Sequence, residues 1–409
     1  MTLQACSLGG LVRKVDTSGP DVRSGMFTYV DLSSIDAETK SIDQPKLIAL
    51  AEAPSRARQR VEKDDVLVST VRPNLNGVAQ VSAALDQSIA STGFCVLRPN
   101  PEQLDARYLF NWVRSPVFVE EMTRLATGAS YPAVSDSIIK ASFIPLPDLP
   151  EQRRIAEILD RADELRVKRR RSLALLDEFA DAAFEEMIGT ELRAPQAGKI
   201  VALGELLSQI DSGDSPVCLD RPARADEWAV LKLSAISMGV FKPALNNKAL
   251  AEGYAPRPHL EVKTGDVLVA RKNTPELVGV SAFVRDTPPK MLLPDLIFRL
   301  VLRADALVRP EFLQRQLSRP AQRRALRRLA SGSAASMSNI SKERLKSLPI
   351  FVPPLELQNE YCDLIDKVES QRSSALVHLR NLEELFSSLQ HRAFSGQLRS
   401  VVDPADDDR

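Results

Sequence analysis

A segment of about forty residues that contains neither proline nor glycine constrains this chain more than any other feature. It runs from just after Pro150 to Gly189, and its apolar residues recur at helical spacing. Proline suits the first turn of a helix and glycine suits the position after the last turn, so both ends carry the expected signals. A helix of that length rises about 60 Å, several times the usual length in globular proteins. Its apolar stripe therefore needs a partner helix.

The chain contains a second segment of the same kind near its C-terminal end. It begins after Pro353-Pro354 and ends at Gly396, and its apolar residues again recur at helical spacing. The two segments match in length and in the signals at their starts. We therefore predict that they pair as an antiparallel coiled coil. Two unrelated amphipathic helices, each packed on its own domain, would give the same pattern.

The long segments occupy equivalent places in an internal repeat. Further pairs of similar segments occur in the same order in both halves of the chain. These pairs are 8–16 with 203–211, 27–36 with 228–237, 65–68 with 266–269, and the loops around Gly128 and Gly332. Each single match is weak, but a shared order is hard to produce by chance. Each half is therefore predicted to hold a globular domain of roughly 150 residues followed by a long helix.

The predicted fold class is α+β, with two homologous mixed α/β domains and two long antiparallel helices. Short β-branched runs between turn residues predict strands, and amphipathic runs at 109–125 and 310–329 predict helices. The predicted boundaries are 1–148 and 149–189 for the first domain and helix, 196–352 and 353–396 for the second domain and helix, and 397–409 for an acidic tail.

The composition excludes several classes of protein. The chain has 409 residues, 44% of them hydrophobic, and a formal net charge of +0, so it is globular and not basic overall. No apolar run approaches the roughly 18 residues of a membrane span, and no signal peptide is apparent. The four cysteines include no C-x-x-C pair, which suits a reducing compartment. We expect a cytoplasmic protein without membrane contact.

Familiar catalytic and metal-binding motifs are missing. The sequence has no phosphate-binding P-loop, no G-x-S-x-G elbow, and no histidine pair at metal-ligand spacing. Glu261-Val262-Lys263 fits a short nuclease pattern, but three-residue matches arise by chance. We therefore predict no catalytic, cofactor-binding or metal-binding residues. Two alternatives stay open: a stand-alone DNA-modifying or DNA-cleaving enzyme with an unrecognised site, and a coiled-coil scaffold unrelated to DNA.

An arginine-rich run is the strongest basic feature. Its members, with no acidic residue among them, are Arg315, Arg319, Arg323, Arg324, Arg327 and Arg328. Clustered guanidinium groups repel each other unless an anion is near, and phosphate fits their geometry. We predict that Arg319, Arg323 and Arg327, one helical turn apart, contact DNA. The alternative is a solvated face that pairs with acids from elsewhere.

Two pairs of loops are the other candidates for DNA contact. The residues after the repeated strands are Arg72, Asn74 and Asn76 in the first half, and Arg271, Lys272 and Asn273 in the second. The residues in loops of small polar side chains are Ser130 and Tyr131 in the first half, and Ser333 and Asn339 in the second. Arginine pairs with guanine and asparagine with adenine in the major groove, and an aromatic ring stacks on bases. Plain turns without a ligand would look the same.

This organisation resembles the DNA-specificity subunit of type I restriction–modification systems. The resemblance covers essentially the whole chain and rests on TGASYPAVS at 127–135, IPLPDLPEQRRIAEILD at 144–160, and LEELFSSLQHRAFSGQL at 382–398. It implies that the two globular domains are target recognition domains, each reading one half of a bipartite, asymmetric site in double-stranded DNA. It also implies that the coiled coil sets the distance between the two halves.

The resemblance also implies partner subunits. Methyltransferase (M) subunits would dock on the coiled coil, and motor-nuclease (R) subunits would cut the DNA. S-adenosylmethionine, ATP and Mg²⁺ would then belong to those partners, and this chain would be a non-catalytic subunit. The expected docking residues at the helix starts are Glu151, Gln152 and Gln358. Because Leu357 stands where the first copy has Glu151, the two docking sites need not be equivalent.

Overall fold

The chain forms two compact units. The structure is a computed structural model that describes residues 4–21, 25–128, 130–189, 198–331 and 337–398. Unit 1 comprises residues 1–174 and 373–409, and unit 2 comprises residues 175–372. Each unit therefore contains one globular region and a part of both long helices. The predicted domain boundaries treat each long helix as one undivided segment, and they stay a prediction.

The globular region of unit 1 is built mainly of short strands. These are β1 (Ala5–Ser7), β2 (Val12–Arg13), β3 (Met26–Val30), β4 (Ile35–Asp36), β5 (Ser41–Ile42), β6 (Lys46–Ala49), β7 (Ala57–Arg60), β8 (Val66–Ser69), β9 (Val78–Gln80), β10 (Ile89–Ser91), β11 (Phe94–Pro99) and β12 (Phe143–Pro145). The helices are α1 (Ala106–Val113), α2 (Pro116–Leu125), α3 (Asp136–Ala141) and the long α4 (Leu149–Met187).

The strands of unit 1 form two four-stranded sheets with the orders β6-β3-β10-β7 and β2-β11-β8-β9. Strands β3 and β10 are parallel, while β8 is antiparallel to both β9 and β11. Strand β1 pairs antiparallel with β12, which brings the start of the chain to the start of α4. Tyr108 and Trp112 of α1 join a buried cluster that includes Ile155 of α4. The core of the globular region thus continues into the long helix.

Unit 2 has a parallel set of elements. Its strands are β13 (Lys199–Ala202), β14 (Leu207–Ser212), β15 (Ala229–Leu231), β16 (Asn247–Ala249), β17 (Val267–Ala270), β18 (Lys272–Asn273), β19 (Ser281–Phe283), β20 (Met291–Leu292), β21 (Ile297–Leu302), β22 (Ser338–Asn339) and β23 (Pro349–Val352). Its helices are α5 (Leu203–Leu206), α6 (Pro310–Ser318), α7 (Pro320–Leu329), α8 (Lys342–Lys346) and the long α9 (Leu355–Phe394).

The sheet topology of unit 2 repeats that of unit 1. Its four-stranded sheet has the order β14-β21-β17-β19, which matches β2-β11-β8-β9 strand for strand. The three-stranded sheet β16-β15-β20 contains one parallel and one antiparallel pair, as do β6, β3 and β10. Strand β13 pairs with β23 as β1 pairs with β12. The predicted pair of homologous α/β domains is confirmed.

The long helices pack against each other in antiparallel directions within each unit. In unit 1, Arg154 Nη2 donates to the carbonyl of Leu398 at 2.7 Å, and Arg170 Nη2 donates to Glu383 Oε1 at 2.7 Å. In unit 2, the Phe184 and Tyr361 ring centroids are 5.3 Å apart. Residues later in α4 meet residues earlier in α9 each time. The predicted antiparallel pairing is therefore confirmed.

Candidate nucleic-acid interface

A buried glutamine fixes α4 to the globular region of unit 1. Gln152 is 1% exposed. Its Oε1 accepts a hydrogen bond from the Asp105 backbone N–H at 2.9 Å, and Asp105 caps the start of α1. Its Nε2 donates to the carbonyls of Gln103 at 3.0 Å and Pro147 at 2.9 Å. Donor and acceptor are both occupied inside the protein, which is what a buried amide requires.

The second long helix has the same connection in unit 2. Gln358 is 0% exposed, and its Oε1 accepts from the Arg309 backbone N–H at 2.9 Å. Its Nε2 donates to the carbonyls of Leu307 and Pro353 at 2.9 and 2.8 Å. The polar atoms of both glutamines are buried and already bonded within the protein, and their role in docking a partner subunit stays a prediction.

Glu151 differs from its buried neighbour. Its carboxylate forms a two-point ion pair with Arg154, with distances of 2.6 and 2.7 Å, and stays partly exposed. Contact between Glu151 and a partner subunit stays a prediction. Leu357 in the second copy carries no charge to make the same pair.

The loop that follows β8, residues 70–77, is named exit loop 1. Arg72 and Asn76 both have left-handed backbone conformations, with φ of 50° and 48°, and a 3-10 turn at Pro73–Leu75 lies between them. Non-glycine residues adopt this conformation rarely, and it marks functional sites more often than chance predicts. The side chains of Arg72, Asn74 and Leu75 are exposed. The loop therefore presents a cation, an amide and an apolar group to solvent.

Exit loop 1 contacts the loop at residues 126–135, named glycine-serine loop 1. The Arg72 N–H donates to the Pro132 carbonyl at 2.7 Å, and Val71 forms a β-bridge with Ala133. The Arg72 guanidinium lies 4.7 Å from the ring centroid of Tyr131, within cation–π range. Tyr131 is 68% exposed. Two loops predicted separately from the sequence thus form one surface, and exposed Ser130 adjoins it.

Asn76 points into the protein. Its Nδ2 donates to the Arg114 carbonyl at 3.2 Å, and its Oδ1 is buried without a hydrogen-bond partner among the described residues. Its own carbonyl accepts from Lys40 Nζ at 2.6 Å. These contacts use Asn76 to shape the loop, and its contact with DNA stays a prediction.

The corresponding loop of unit 2, residues 271–280, is named exit loop 2. It pairs with residues 338–339 through Lys272↔Asn339 and Asn273↔Ser338. Lys272 stands two residues after β17, as Val71 stands two residues after β8. Asn273, and not Arg271, is therefore the counterpart of Arg72.

The side chains of exit loop 2 differ in what they expose. Lys272 is exposed, whereas Asn273 is 9% exposed and its Oδ1 accepts from the Thr274 N–H at 2.8 Å. Arg271 lies 5.3 Å from the ring centroid of Phe298, and its Nε donates to Asn339 Oδ1 at 3.3 Å. Lys272 is thus the most available of the three, and Ser333 lies outside the described residues.

The six arginines do not form one solvent-facing row. Arg319 pairs with Glu185 of α4 and lies 4.4 Å from the Phe184 ring centroid. Arg323 donates to the carbonyls of Val278 at 2.8 Å and Glu276 at 2.9 Å. These two arginines are occupied within unit 2. Contact of Arg319, Arg323 and Arg327 with DNA stays a prediction.

The other four arginines differ in whether their side chains are already hydrogen-bonded within unit 2. Arg315 Nε donates to the Tyr361 hydroxyl at 3.1 Å, and Arg327 Nη2 donates to the Glu276 carbonyl at 2.9 Å. Arg324 and Arg328 are exposed, and among the described residues neither has a side-chain hydrogen bond or ion pair. These two guanidinium groups are the most available to a phosphate.

An arginine–aspartate ion pair that the sequence patterns did not predict recurs in both units. Arg98 of β11 donates through Nε and Nη2 to Asp65 at 2.9 and 2.8 Å. Arg299 of β21 donates to Asp211 at 2.9 and 2.6 Å and approaches Asp266 at 3.5 Å. Both the Asp65–Arg98 and the Asp266–Arg299 positions are 33 residues apart. That equal spacing within the repeat is a signal that could have identified the pair.

Two classes of site are not found in the part of the chain that the structure describes. No group of three or more histidine, cysteine, aspartate or glutamate residues there could hold a metal ion. No helix among the same residues is long and apolar enough to cross a membrane.

Comparison with known proteins shows which family the chain is similar to. The sequence model of the type I restriction modification DNA specificity domain matches residues 55–175, which include exit loop 1, glycine-serine loop 1 and Gln152. The chain is 29% identical over 283 residues to the type I restriction enzyme EcoEI specificity subunit of Escherichia coli. The chain is therefore similar to type I restriction enzyme specificity subunits. The predicted resemblance to this family is confirmed.

Coverage differs among relatives in the specificity-subunit family. The EcoEI alignment covers 65% of this chain but only 46% of the EcoEI subunit, so the chain spans less than half of that relative. The EcoKI specificity subunit of Escherichia coli strain K12 is 24% identical over 381 residues, with 87% of this chain and 79% of that subunit covered.

Solved structures of the specificity-subunit family extend the likeness to nearly the whole chain. A chain from a structure on complex assembly and conformational transition of the type I R-M system is 25% identical, with a TM-score of 0.57. That match covers 97% of this chain and 98% of the other. The type I restriction–modification S subunit from M. genitalium gives a TM-score of 0.60 at 12% identity, with 96% of each chain covered, which concerns the fold alone.

Proposed function

We propose that this chain is the DNA-recognition subunit of a type I restriction–modification complex, acts in the cytoplasm, and reads a bipartite, asymmetric site in double-stranded DNA. The observation that carries the proposal is the repetition of one loop pair with different side chains. The same backbone pairing presents Arg72 beside Tyr131 in unit 1, and Asn273 beside Ser338 in unit 2. The two units have the same loop pairing but different side chains on it, and this difference suits recognition of two different half-sites.

Unit 1 offers groups suited to base contact. An arginine next to an exposed ring combines a bidentate donor for guanine with a stacking surface. Arg72 and Tyr131 have that relation, and Asn74 stands exposed beside them. We assign base contact to these three residues, with Ser130 at the edge of the same surface.

Unit 2 offers groups suited to phosphate contact. Contacts to phosphate position a protein on the duplex, and contacts to base edges supply specificity. Exposed Arg324 and Arg328 project from α7, and exposed Lys272 lies on exit loop 2. We assign phosphate contact to the two arginines and groove contact to Lys272. Arg271 and Asn339 support that loop through their mutual hydrogen bond.

The proposal gives this chain no catalytic step. Methyl transfer and cleavage belong to M and R subunits, which bind S-adenosylmethionine, Mg²⁺ and ATP. The M subunits dock on the paired long helices, with Glu151 as one contact. A helix of 39 residues is about 58 Å long, commensurate with one to two turns of DNA at about 34 Å each, and this suits a spacer between the half-sites.

Domain exchange tests the proposal. Cells that carry the full locus, with residues 1–148 replaced by the same domain of another family member, are mapped for methylated sites. We expect one half of the methylated motif to change while the other half and the spacing persist. Exchange of residues 196–352 is the matched control and changes the opposite half. A motif that survives the first exchange intact contradicts the proposal.

A further inference from the structure

The two exit loops need internal support to hold a defined shape. In exit loop 1, Arg72 and Asn76 both have positive φ. This backbone conformation is unfavourable for residues other than glycine, and it persists only where surrounding contacts hold it. In exit loop 2, Gly279 has φ of 73°, and a Cβ there would lie 2.9 Å from Cβ of Leu326 in α7. The second loop is therefore pressed closely against its helix.

A half-buried lysine supports exit loop 1. Lys40 Nζ donates to the Asn76 carbonyl at 2.6 Å, across 36 residues of sequence. Among the described residues, no carboxylate lies within ion-pair distance of Lys40. A half-buried ammonium without a carboxylate is costly, so hydrogen bonds to carbonyls compensate it. The lysine is thus directed at the backbone of the loop.

The charges around Lys40 come from three elements. Asp36 lies on β4, the strand just before Lys40. Arg114 follows α1, and Asp163 and Arg166 lie on α4. Burial, with help from Arg114 and Arg166, lowers the pKa of Lys40 to about 8, against the opposing effect of the two aspartates. The lysine therefore stays largely protonated at neutral pH and donates to the loop.

Arginines support exit loop 2 in a similar way. Arg323 donates to the carbonyls of Val278 and Glu276, and Arg327 donates to the same Glu276 carbonyl. Arg323 is half-buried, and it too has no carboxylate within ion-pair distance among the described residues. The two guanidinium groups repel each other, and the carbonyl oxygen that both of them contact partly offsets this repulsion.

We propose that Lys40 and Arg323 are positioning residues for exit loops 1 and 2, and that each controls base discrimination in one half of the DNA site. This inference rests on the proposed function. Neither residue needs to touch DNA, because each acts through carbonyls of the loop that presents the contacting side chains. A displacement of about 1 Å in such a loop is enough to misplace bidentate contacts with a base.

The test uses the full chain assembled with its methyltransferase subunits. Affinity is measured for the mapped DNA site and for duplexes with one base changed in either half. For Lys40→Met we expect discrimination to fall about tenfold in the half read by unit 1, with less than about twofold change in the other half. Arg323→Met should give the reverse pattern, and Lys40→Arg should restore much of the first loss.

Matched controls separate positioning from charge and from folding. Lys63→Met and Arg224→Met each remove one exposed cation from the same units and should leave both discrimination ratios unchanged. If the Lys40→Met chain does not assemble, Lys40→Gln, which keeps a donor, is measured in the same way. The unaffected half-site reports folding within each variant.

Three outcomes overturn the inference. These are unchanged ratios in both variants, equal losses in both halves, and uniform weakening for Arg323→Met, which is the result expected of a phosphate contact. Failure of the wild-type complex to bind specifically contradicts the proposed function. Specific wild-type binding with unchanged ratios in the variants contradicts only the positioning role.

Discussion

Arg72 and Asn273 occupy the same place in two copies of one fold and differ in what they offer to a ligand. Arg72 is exposed and lies over Tyr131, whereas Asn273 is nearly buried and bonds its own loop. Residue type alone suggested base contact for both. The backbone geometry and burial of each position separate them, because a side chain that is occupied inside the loop has no free donors for a base.

Arg72→Ala should change preference at particular base pairs in the half-site read by unit 1. The variant loses a bidentate donor and exposes Tyr131 without its cation, so discrimination should fall by about 1–3 kcal/mol at the contacted base. Competition binding with singly substituted duplexes measures this. Arg56→Ala, at another exposed arginine of the unit, should leave the preference unchanged. Equal weakening for every duplex would count against direct readout.

At the scale of elements, the repeated junctions show how each long helix is fixed to its globular region. Gln152 and Gln358 each bond one backbone N–H and two carbonyls. One carbonyl belongs to the proline five residues before the glutamine, and the other two partners lie 47 to 51 residues earlier, just before α1 or α6. Prolines before each helix leave fewer backbone donors to satisfy. The side-chain amide completes the junction and fixes the direction in which the helix leaves.

Gln152→Leu should destabilise the chain by about 2–4 kcal/mol, because it leaves a buried N–H and two carbonyls without hydrogen-bond partners. Gln358→Leu should cost a similar amount, since its three bonds are equivalent. Urea denaturation monitored by circular dichroism measures both losses. Glu151→Gln, which alters a partly exposed ion pair one residue away, is the control and should cost less than about 1 kcal/mol. An equally large loss of stability in Glu151→Gln would show that any change at the helix start is destabilising, and not the loss of the glutamine hydrogen bonds in particular.

At the scale of the whole molecule, the formal net charge of +0 removes any general attraction to DNA. The salt dependence of binding should therefore report a small number of local phosphate contacts. Exposed Arg324 and Arg328 are candidates for such contacts, whereas Arg319 is compensated by Glu185. Local placement of charge, and not total charge, would then govern affinity.

The double variant Arg324→Ala/Arg328→Ala should weaken binding about equally for all sequences. It should also flatten the slope of log affinity against log salt by roughly 1–2, since each lost phosphate contact removes about one released counterion. Titrations of the intact complex at several salt concentrations measure the slope. Arg319→Ala is the comparison and should leave it nearly unchanged. An unaltered slope in the double variant would show that the exposed arginines face solvent only.

The sequence by itself determined the two long helices, their antiparallel pairing, the internal repeat and the resemblance to type I specificity subunits. Those features rest on periodicity, on proline and glycine at helix ends, and on similar segments in a shared order, all of which are local or can be counted along the chain. The structure confirms the α+β class with paired helices, and the comparisons confirm the resemblance to type I specificity subunits.

Only the tertiary structure decided which polar side chains are available. Gln152, Asn76 and Arg323 look like surface residues by type, yet folding turns their polar atoms onto backbone groups far away in sequence. The contact between Arg72 and Tyr131 could not be predicted from the sequence either, because a β-bridge between two loops that are distant in sequence brings them together. Hydrogen-bond satisfaction is a property of the packed chain, so residue type sets what a side chain is able to donate and the fold sets what receives it.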